Sequence, residues 1–453
     1  MSFVDSILFC CAIVILGASI VISFKTGFIQ FRTLPYLFKS LFSRKKDETC
    51  SNTVLPHKAL CTAMSTTIGL GTMISPVIAI RLGGPGALLG YLLCMIFGSA
   101  ATFVEVSLAL THRKRFADGT ISGGPMPYLE ALFSPKLAKW YAFFCLILMA
   151  AWSGAQTNQL AAIMASSLMG PFAVPEPVSG IFVAVCVLAL LFGGIKWIAE
   201  FSGKLVPVMF VLYISACFWI IGVNLDHMPS ILNSIFSSCF EPQQFATGAL
   251  VGGIAQSMRW GIFKGVHSTE AGLGTQTIPH SMAYTKDPFA QGVLSMCSIF
   301  SAGFLAILGG IVALISETWL DPSLEVGITM VARSFQLYFS QFGIAIIVIS
   351  AFLFAFGTVL GNCFNGSCCF SYLTKGRFLH YYFLIVTVMT FLGAICRMTL
   401  FWATSDLVIA LVAIPHVLAL VKIVWQGKFA TKMAVQTERE LVLQSVETEN
   451  LQM

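Results

Sequence analysis

Between Ser65 and Ile74 the chain reads STTIGLGTMI, a Gly-x-Gly interruption flanked by hydroxyl side chains inside an oily stretch long enough to cross a membrane. Gly69 and Gly71 let the backbone leave helical geometry, and the carbonyls and N–H groups so freed must face protein, water or a bound solute. A spanning helix that unwinds at mid-depth is therefore a candidate binding site. The bare N–H groups that open a half-helix can receive an anionic group, and unwound carbonyls a cationic one. Thr67 and Thr72 can add hydroxyls to such a site, and Gln156 an amide that both donates and accepts. For Gln156 an interhelical hydrogen bond is an equal alternative.

The elements that would position these groups are membrane helices. Hydrophobic residues make up 57% of the 453 and charged residues 10%, a composition no water-soluble domain has. Stretches long enough for a hydrocarbon layer about 30 Å thick number eleven, near 6–24, 57–80, 86–111, 140–168, 177–195, 204–223, 246–268, 290–316, 337–362, 378–398 and 402–424. The fold class is an all-α integral membrane protein. The first stretch reads as a retained helix, since nothing basic precedes it and it lacks a small-residue cleavage site. Lys25, Arg32, Lys39, Arg44, Lys45 and Lys46 follow it, and further basic residues follow the third, fifth, seventh, ninth and eleventh stretches, whereas 169–177, 224–244 and 317–332 carry no Lys or Arg. Basic loops stay cytoplasmic, so the N-terminus lies outside and the C-terminus inside. Short loops fit a bacterial-type inner membrane.

The net charge of +6 thus describes topology. No basic run is interleaved with aromatics, which sets nucleic-acid binding aside. Most of the fourteen cysteines stand singly in apolar stretches, and the doublets Cys10-Cys11 and Cys368-Cys369 lack CxxC spacing, so they read as small buried hydrophobes. No metal or cofactor is expected beyond a coupling ion. After Lys432 the tail turns Glu- and Gln-rich, a short cytoplasmic helix or a disordered end.

A second interruption is expected in the seventh stretch, punctuated by Gly248, Gly252, Gly253, Gly261 and Gly265. Two glycine-broken segments five spans apart point to two five-helix repeats of opposite topology, 57–223 and 246–424, with the site at their interface. A peripheral helix and basic loop (1–56) precede them and a cytoplasmic tail (425–453) follows. Glycine in membrane helices can equally mark close packing.

Several segments resemble the alanine/glycine:cation symporter family. They are ALCTAMSTTIGLGTMISPVIAIRLGGPG (59–86), Phe103 and Glu105 leading to Arg113, Gly123-Gly124-Pro125-Met126, Gln156 with Asn158, Gly193-Gly194-Ile195-Lys196, Lys204-Leu205-Val206-Pro207, and Ser268-Thr269-Glu270-Ala271-Gly272-Leu273-Gly274 with Pro279-His280. The resemblance spans most of the chain. It implies a leucine-transporter type of fold and secondary active transport of a small neutral amino acid, driven by a cation gradient, usually sodium. For such an amino acid the carboxylate seat falls between Gly69 and Thr72. It also implies a cation site of backbone around Ser65 and Ile68 facing Gly357 and Thr358, the oxygen-rich setting a hard cation needs.

The chain departs from the family pattern at informative places. Gly357 stands for a serine, Thr72 for an asparagine, and Ser298 and Ala302 for acidic residues, which leaves Na+ or H+ as the coupling ion. Leu70 replaces a threonine, Asn362 a tryptophan and His267 a phenylalanine, so the pocket, which also takes in Phe263, should be larger and more polar and admit a larger neutral or polar amino acid. His267 could instead lie at a wet cytoplasmic end. Glu105 reads as a boundary carboxylate near Arg113 or as a proton relay, and Arg259 and Glu270 as gate residues. Other classes are a passive channel, a membrane enzyme using His267, His280 and Glu270, and a transporter-derived sensor; no filter motif, HExxH or GxSxG appears, and an enzyme is not expected. The expected partners are the bilayer, a small neutral amino acid and a cation, and a monomer suffices for a site held within one chain.

Overall fold

The computed structural model describes residues 3–37, 53–115, 121–191, 194–239 and 252–427. The basic stretch 39–46, Gly193, Gly248 and the tail beyond residue 427 lie outside the described residues. The helices in chain order are α1 (Phe3–Lys25), α2 (Pro56–Thr67), α3 (Leu70–Gly83), α4 (Ala87–His112), α5 (Pro125–Leu132), α6 (Pro135–Ala165), α7 (Glu176–Leu191), α8 (Gly194–Val223), α9 (Met228–Ser237), α10 (Gly252–Thr269), α11 (Thr277–Ser281), α12 (Pro288–Ser316), α13 (Ile328–Phe339), α14 (Gln341–Thr374), α15 (Leu379–Ile395) and α16 (Met398–Trp425). Two short strands, Lys114–Arg115 and Ile121–Ser122, pair antiparallel after α4.

Among the described residues six helices are long and apolar enough to cross a membrane, and α2 with α3, bent by 42° at a short break, would make a seventh. Three of the remaining expected spans are shorter apolar helices, at Cys10–Lys25, Glu176–Ala189 and Leu379–Ile395. The last, α10, carries Arg259, Lys264 and His267 and is far less apolar. The molecule is oily outside and carries polar groups within an apolar interior. Val178, Ile181, Phe182 and Val185 of α7, Val208, Val211, Phe218 and Trp219 of α8, and Leu384, Ile385 and Val388 of α15 are exposed. Such a belt is stable only against hydrocarbon, whereas the interior sets buried hydroxyls, amides and a few carboxylates within a larger apolar core.

The bent pair runs through the centre. α2 packs on α8, α12 and α14, α3 packs on α10, and α10 packs along α4. The α4–α10 contact explains the glycines of the seventh stretch. A methyl at Gly261 would stand 2.0 Å from the Ala87 carbonyl oxygen, one at Gly90 2.7 Å from the Ile262 nitrogen, and one at Gly265 3.1 Å from Cys94. These glycines let two backbones touch, and α10 passes through Gly252, Gly253, Gly261 and Gly265 without a break. The interruption expected at those residues lies instead just after Thr269, where Glu270, Gly272 and Gly274 take positive φ of 56°, 79° and 81°.

Gly261→Ala should cost 1–3 kcal/mol or more through this backbone clash, an order-of-magnitude figure for overpacking of about one methyl, and lower the melting temperature in detergent. Gly222→Ala, which meets nothing within 4 Å, should not; equal melting temperatures would refute the contact.

Candidate functional site

The first break is built from one residue that only glycine can be. Ile68 leaves the helix at φ −89° and ψ 80°, and Gly69 is extended at φ −112° and ψ −171°. A methyl on Gly69 would lie 2.5 Å from Thr358 Oγ1 and 3.1 Å from Gln156 Oε1, so two other helices press on the backbone there. The Leu70 N–H that opens α3 donates to Gln156 Oε1 at 2.8 Å. Gln156 thus makes the interhelical bond, on the N–H where a carboxylate seat was expected. Thr67 Oγ1 donates to the Ala63 carbonyl at 3.1 Å and Thr72 Oγ1 to the Thr67 carbonyl at 2.9 Å, so both hydroxyls line the break. Gly71 lies one residue inside α3, its carbonyl accepting from Ser75 Oγ.

The residues expected around a cation come together. Thr358 Oγ1 donates to the Ser65 carbonyl at 2.9 Å, and a methyl on Gly357 would lie 3.6 Å from Ser65 Cβ. Ser65, Ile68 and Thr358 are all buried. Carbonyl and hydroxyl oxygens beside a helix break are the donor set of a hard monovalent cation. Among the described residues no group of three or more His, Cys, Asp or Glu could hold a metal ion.

The second break is tied to side chains from three other helices, one of them braced by a fourth. Tyr141 Oη of α6 donates to the Leu273 carbonyl at 2.7 Å, and His416 Nδ1 of α16 lies 2.8 Å from the Gly272 carbonyl. A carbonyl only accepts, so Nδ1 carries the proton and Nε2 accepts from Tyr128 of α5. Within the segment Gln276 Nε2 donates to the Thr269 carbonyl at 3.0 Å; Ser298 of α12 donates to Gln276 and Thr275 to the Glu270 carboxylate. Glu270, a gate candidate, is therefore engaged inside the break. Arg259 lies about three helical turns earlier, over the Trp260 ring at 5.5 Å.

Glu105 does not reach toward Arg113. It is 1% exposed, 3.6 Å from His416 Nδ1 and beside the Gly274 N–H, and so faces the second break. Arg113 instead donates to the carbonyls of Ser281, Ala283 and Thr285 at 2.7–2.8 Å. Beside it Val54 N donates to the Met282 carbonyl and accepts from Tyr284 N through its own carbonyl, joining the entries of both broken segments. At the far end Arg81 binds the Trp319 and Asp321 carbonyls at 3.0 and 2.6 Å.

His267 is not at a wet end. It is 8% exposed, with its ring centre 5.4 Å from Trp152 and 5.0 Å from Trp402, and its Nδ1 lies 3.4 Å from Asp406 Oδ1. Lys264 Nζ is 3.8 Å from Asp406 Oδ2, and Phe263 packs beneath that ammonium at 4.8 Å. Sequence reading missed Lys264 and Asp406, although an ionisable residue inside an apolar stretch was itself the signal. Asn362 is fully buried on α14 with neither amide atom hydrogen-bonded. Asn158 spends its amide on the Gly393 and Cys396 carbonyls, a packing role.

A multi-pass helical bundle whose central helix unwinds beside buried hydroxyls and amides defines a membrane transporter of the broken-helix kind. The solved structure of MhsT in complex with L-phenylalanine shares this fold, with a TM-score of 0.60 at 15% identity, covering 83% of this chain and 90% of that one. The chain belongs to the sodium:alanine symporter family, whose model matches residues 1–441. It is 33% identical over 417 residues to the sodium/alanine symporter AgcS of Methanococcus maripaludis, covering 90% of each chain. An uncharacterized transporter of Haemophilus influenzae is also 33% identical, over 426 residues, covering 93% of this chain and 92% of that one. The probable sodium/glutamine symporter GlnT of Bacillus subtilis is 28% identical, covering 90% of this chain and 84% of the relative. The family is one of transporters rather than enzymes.

Gln156→Ala leaves the Leu70 N–H without its acceptor. The expected loss is about 1–3 kcal/mol, read as earlier thermal unfolding in detergent; an unchanged transition would show that the bond does not hold the break.

Proposed function

We propose that this protein is a cation-coupled symporter, with sodium as the coupling ion, of a neutral amino acid, working by alternating access. The observation that carries the reading is the meeting of three parts at Gly69: the half-helix N–H of Leu70, the Gln156 amide that accepts from it, and the Ser65 carbonyl with the Thr358 hydroxyl. An amino-acid carboxylate takes the Leu70 N–H in place of Gln156, which turns its own amide to the ligand. Sodium sits between the Ser65 and Ile68 backbone and Thr358. The names of the relatives, sodium/alanine and probable sodium/glutamine symporters, support ion and substrate class alike. Alanine and glycine are the smallest candidates.

In this reading eleven spans cross the cytoplasmic membrane with the N-terminus outside and the C-terminus inside. A peripheral first helix is followed by inverted repeats at 57–223 and 246–424. Closure at the Arg113 end and closure at the Arg81 end alternate as the broken segments rock. A monomer holds the whole site.

The experiment is uptake of L-alanine by the purified protein in lipid vesicles under imposed sodium, proton or no gradient. Accumulation above equilibrium only with inward sodium is expected; mere equilibration under every condition would overturn symport, and accumulation driven by protons alone would replace the ion. Thr358→Ala should raise the sodium concentration for half-maximal uptake about tenfold, the loss of one oxygen ligand. An unaltered sodium dependence would move the cation elsewhere.

A further inference from the structure

We propose that Trp152, Lys264, His267, Trp402 and Asp406 form a subsite for the polar end of an amino-acid side chain, of which a carboxamide such as that of glutamine fits best. The inference rests on the transport reading above and names the substrate class of that site.

Position comes first. Trp152 precedes Gln156 by one turn of α6, so the two share a face and stand about 6 Å apart along the axis. Gln156 marks the carboxylate seat through its bond to Leu70 N. A side chain of glutamine length, about 5 Å of bonded chain, reaches from that seat to the level of Trp152. His267 and Trp402 close around the same point, each ring about 5 Å from its neighbour in the cluster.

The chemistry is unfinished there. The indole N–H groups of Trp152 and Trp402 lack a hydrogen-bond partner, although Trp152 is nine-tenths or more buried, and His267 Nδ1 and Asp406 Oδ1 meet only each other, at 3.4 Å. The Lys264 ammonium, 3.8 Å from Asp406 Oδ2, is too far for a good hydrogen bond and rests over the faces of Phe263 and Trp402. A buried pair retained for structure alone needs short bonds and satisfied neighbours to offset its desolvation. This one leaves two indole donors open and holds its carboxylate only by long contacts, 3.4 Å to His267 and 3.8 Å to Lys264, so that a carboxylate oxygen keeps lone pairs for a further donor. A carboxamide supplies the complement: its carbonyl accepts from an indole or the ammonium, and its NH2 donates to Asp406 Oδ1. An apolar side chain of equal length leaves every one of these atoms unpaired, and a carboxylate meets Asp406 with like charge.

Calorimetric binding of L-glutamine, L-norleucine and L-glutamate to the purified protein tests this directly. Glutamine should bind at least about tenfold more tightly than either, the discrimination typical of a site built for hydrogen bonds; norleucine binding as well as glutamine would overturn the subsite. In Asp406→Asn and in Trp152→Phe, which keeps the ring and deletes the N–H, the preference for glutamine over alanine should fall about tenfold. A proportionate loss of both ligands is the mark of a merely structural role and also overturns it. Vesicle uptake separates the two readings. Glutamine binding without accumulation of any amino acid leaves the subsite and removes symport, and accumulation of alanine with no preference for glutamine does the reverse.

Discussion

Everything in this structure answers to one constraint, that a main-chain carbonyl or N–H opened inside hydrocarbon must find a partner. Among the described residues the chain opens such groups after Thr67 and after Thr269, and a group of buried polar side chains from other helices serves those two places. Gln156 and Thr358 attend the first break; Tyr141, His416, Gln276 and, through them, Tyr128 and Ser298 attend the second. The apolar residues have the simpler task of filling space and meeting lipid. A soluble protein would leave such carbonyls to water, and here side chains from distant helices replace it.

The same constraint explains where arginine is used. Arg113 and Arg81 each gather backbone carbonyls at opposite ends of the broken segments, where helices stop and the last oxygens have no intrahelical donor. A guanidinium, with five donors in a fixed fork, covers two or three such oxygens at once. These clusters bind loops to helix ends, so releasing one end exposes oxygens that must be taken up by water or by another donor.

The first break was legible in the sequence because Gly-x-Gly beside hydroxyls has a single local meaning at Gly69: no side chain fits between Gln156 and Thr358. The second was misplaced for an equally physical reason. Gly261 and Gly265 are glycine because α4 touches α10, and nothing in the local sequence distinguishes that need from a need for flexibility. The true turn includes Glu270, a non-glycine residue in the left-handed region, held there by Thr275 and its neighbours. The polar cluster at His267 was half visible. The histidine stood out, but Asp406 lies on another helix far along the chain, and hydropathy patterns carry no information about which buried charges meet. Glu105 was read with Arg113 by proximity in sequence, whereas eight residues of helix, about 12 Å of rise, separate the two and its carboxylate lies by His416 instead.

The two interruptions are unequal bearings. Around Gly69 the Leu70 N–H is held by one amide, which a competing anion can replace; around Gly272 side chains of two helices bond the backbone, and two more helices brace them. In the proposed cycle the former would be the swivel and the latter the fixed post, and small displacements of a few atoms near Leu70 would be levered into larger sweeps at the far tips of the central rod.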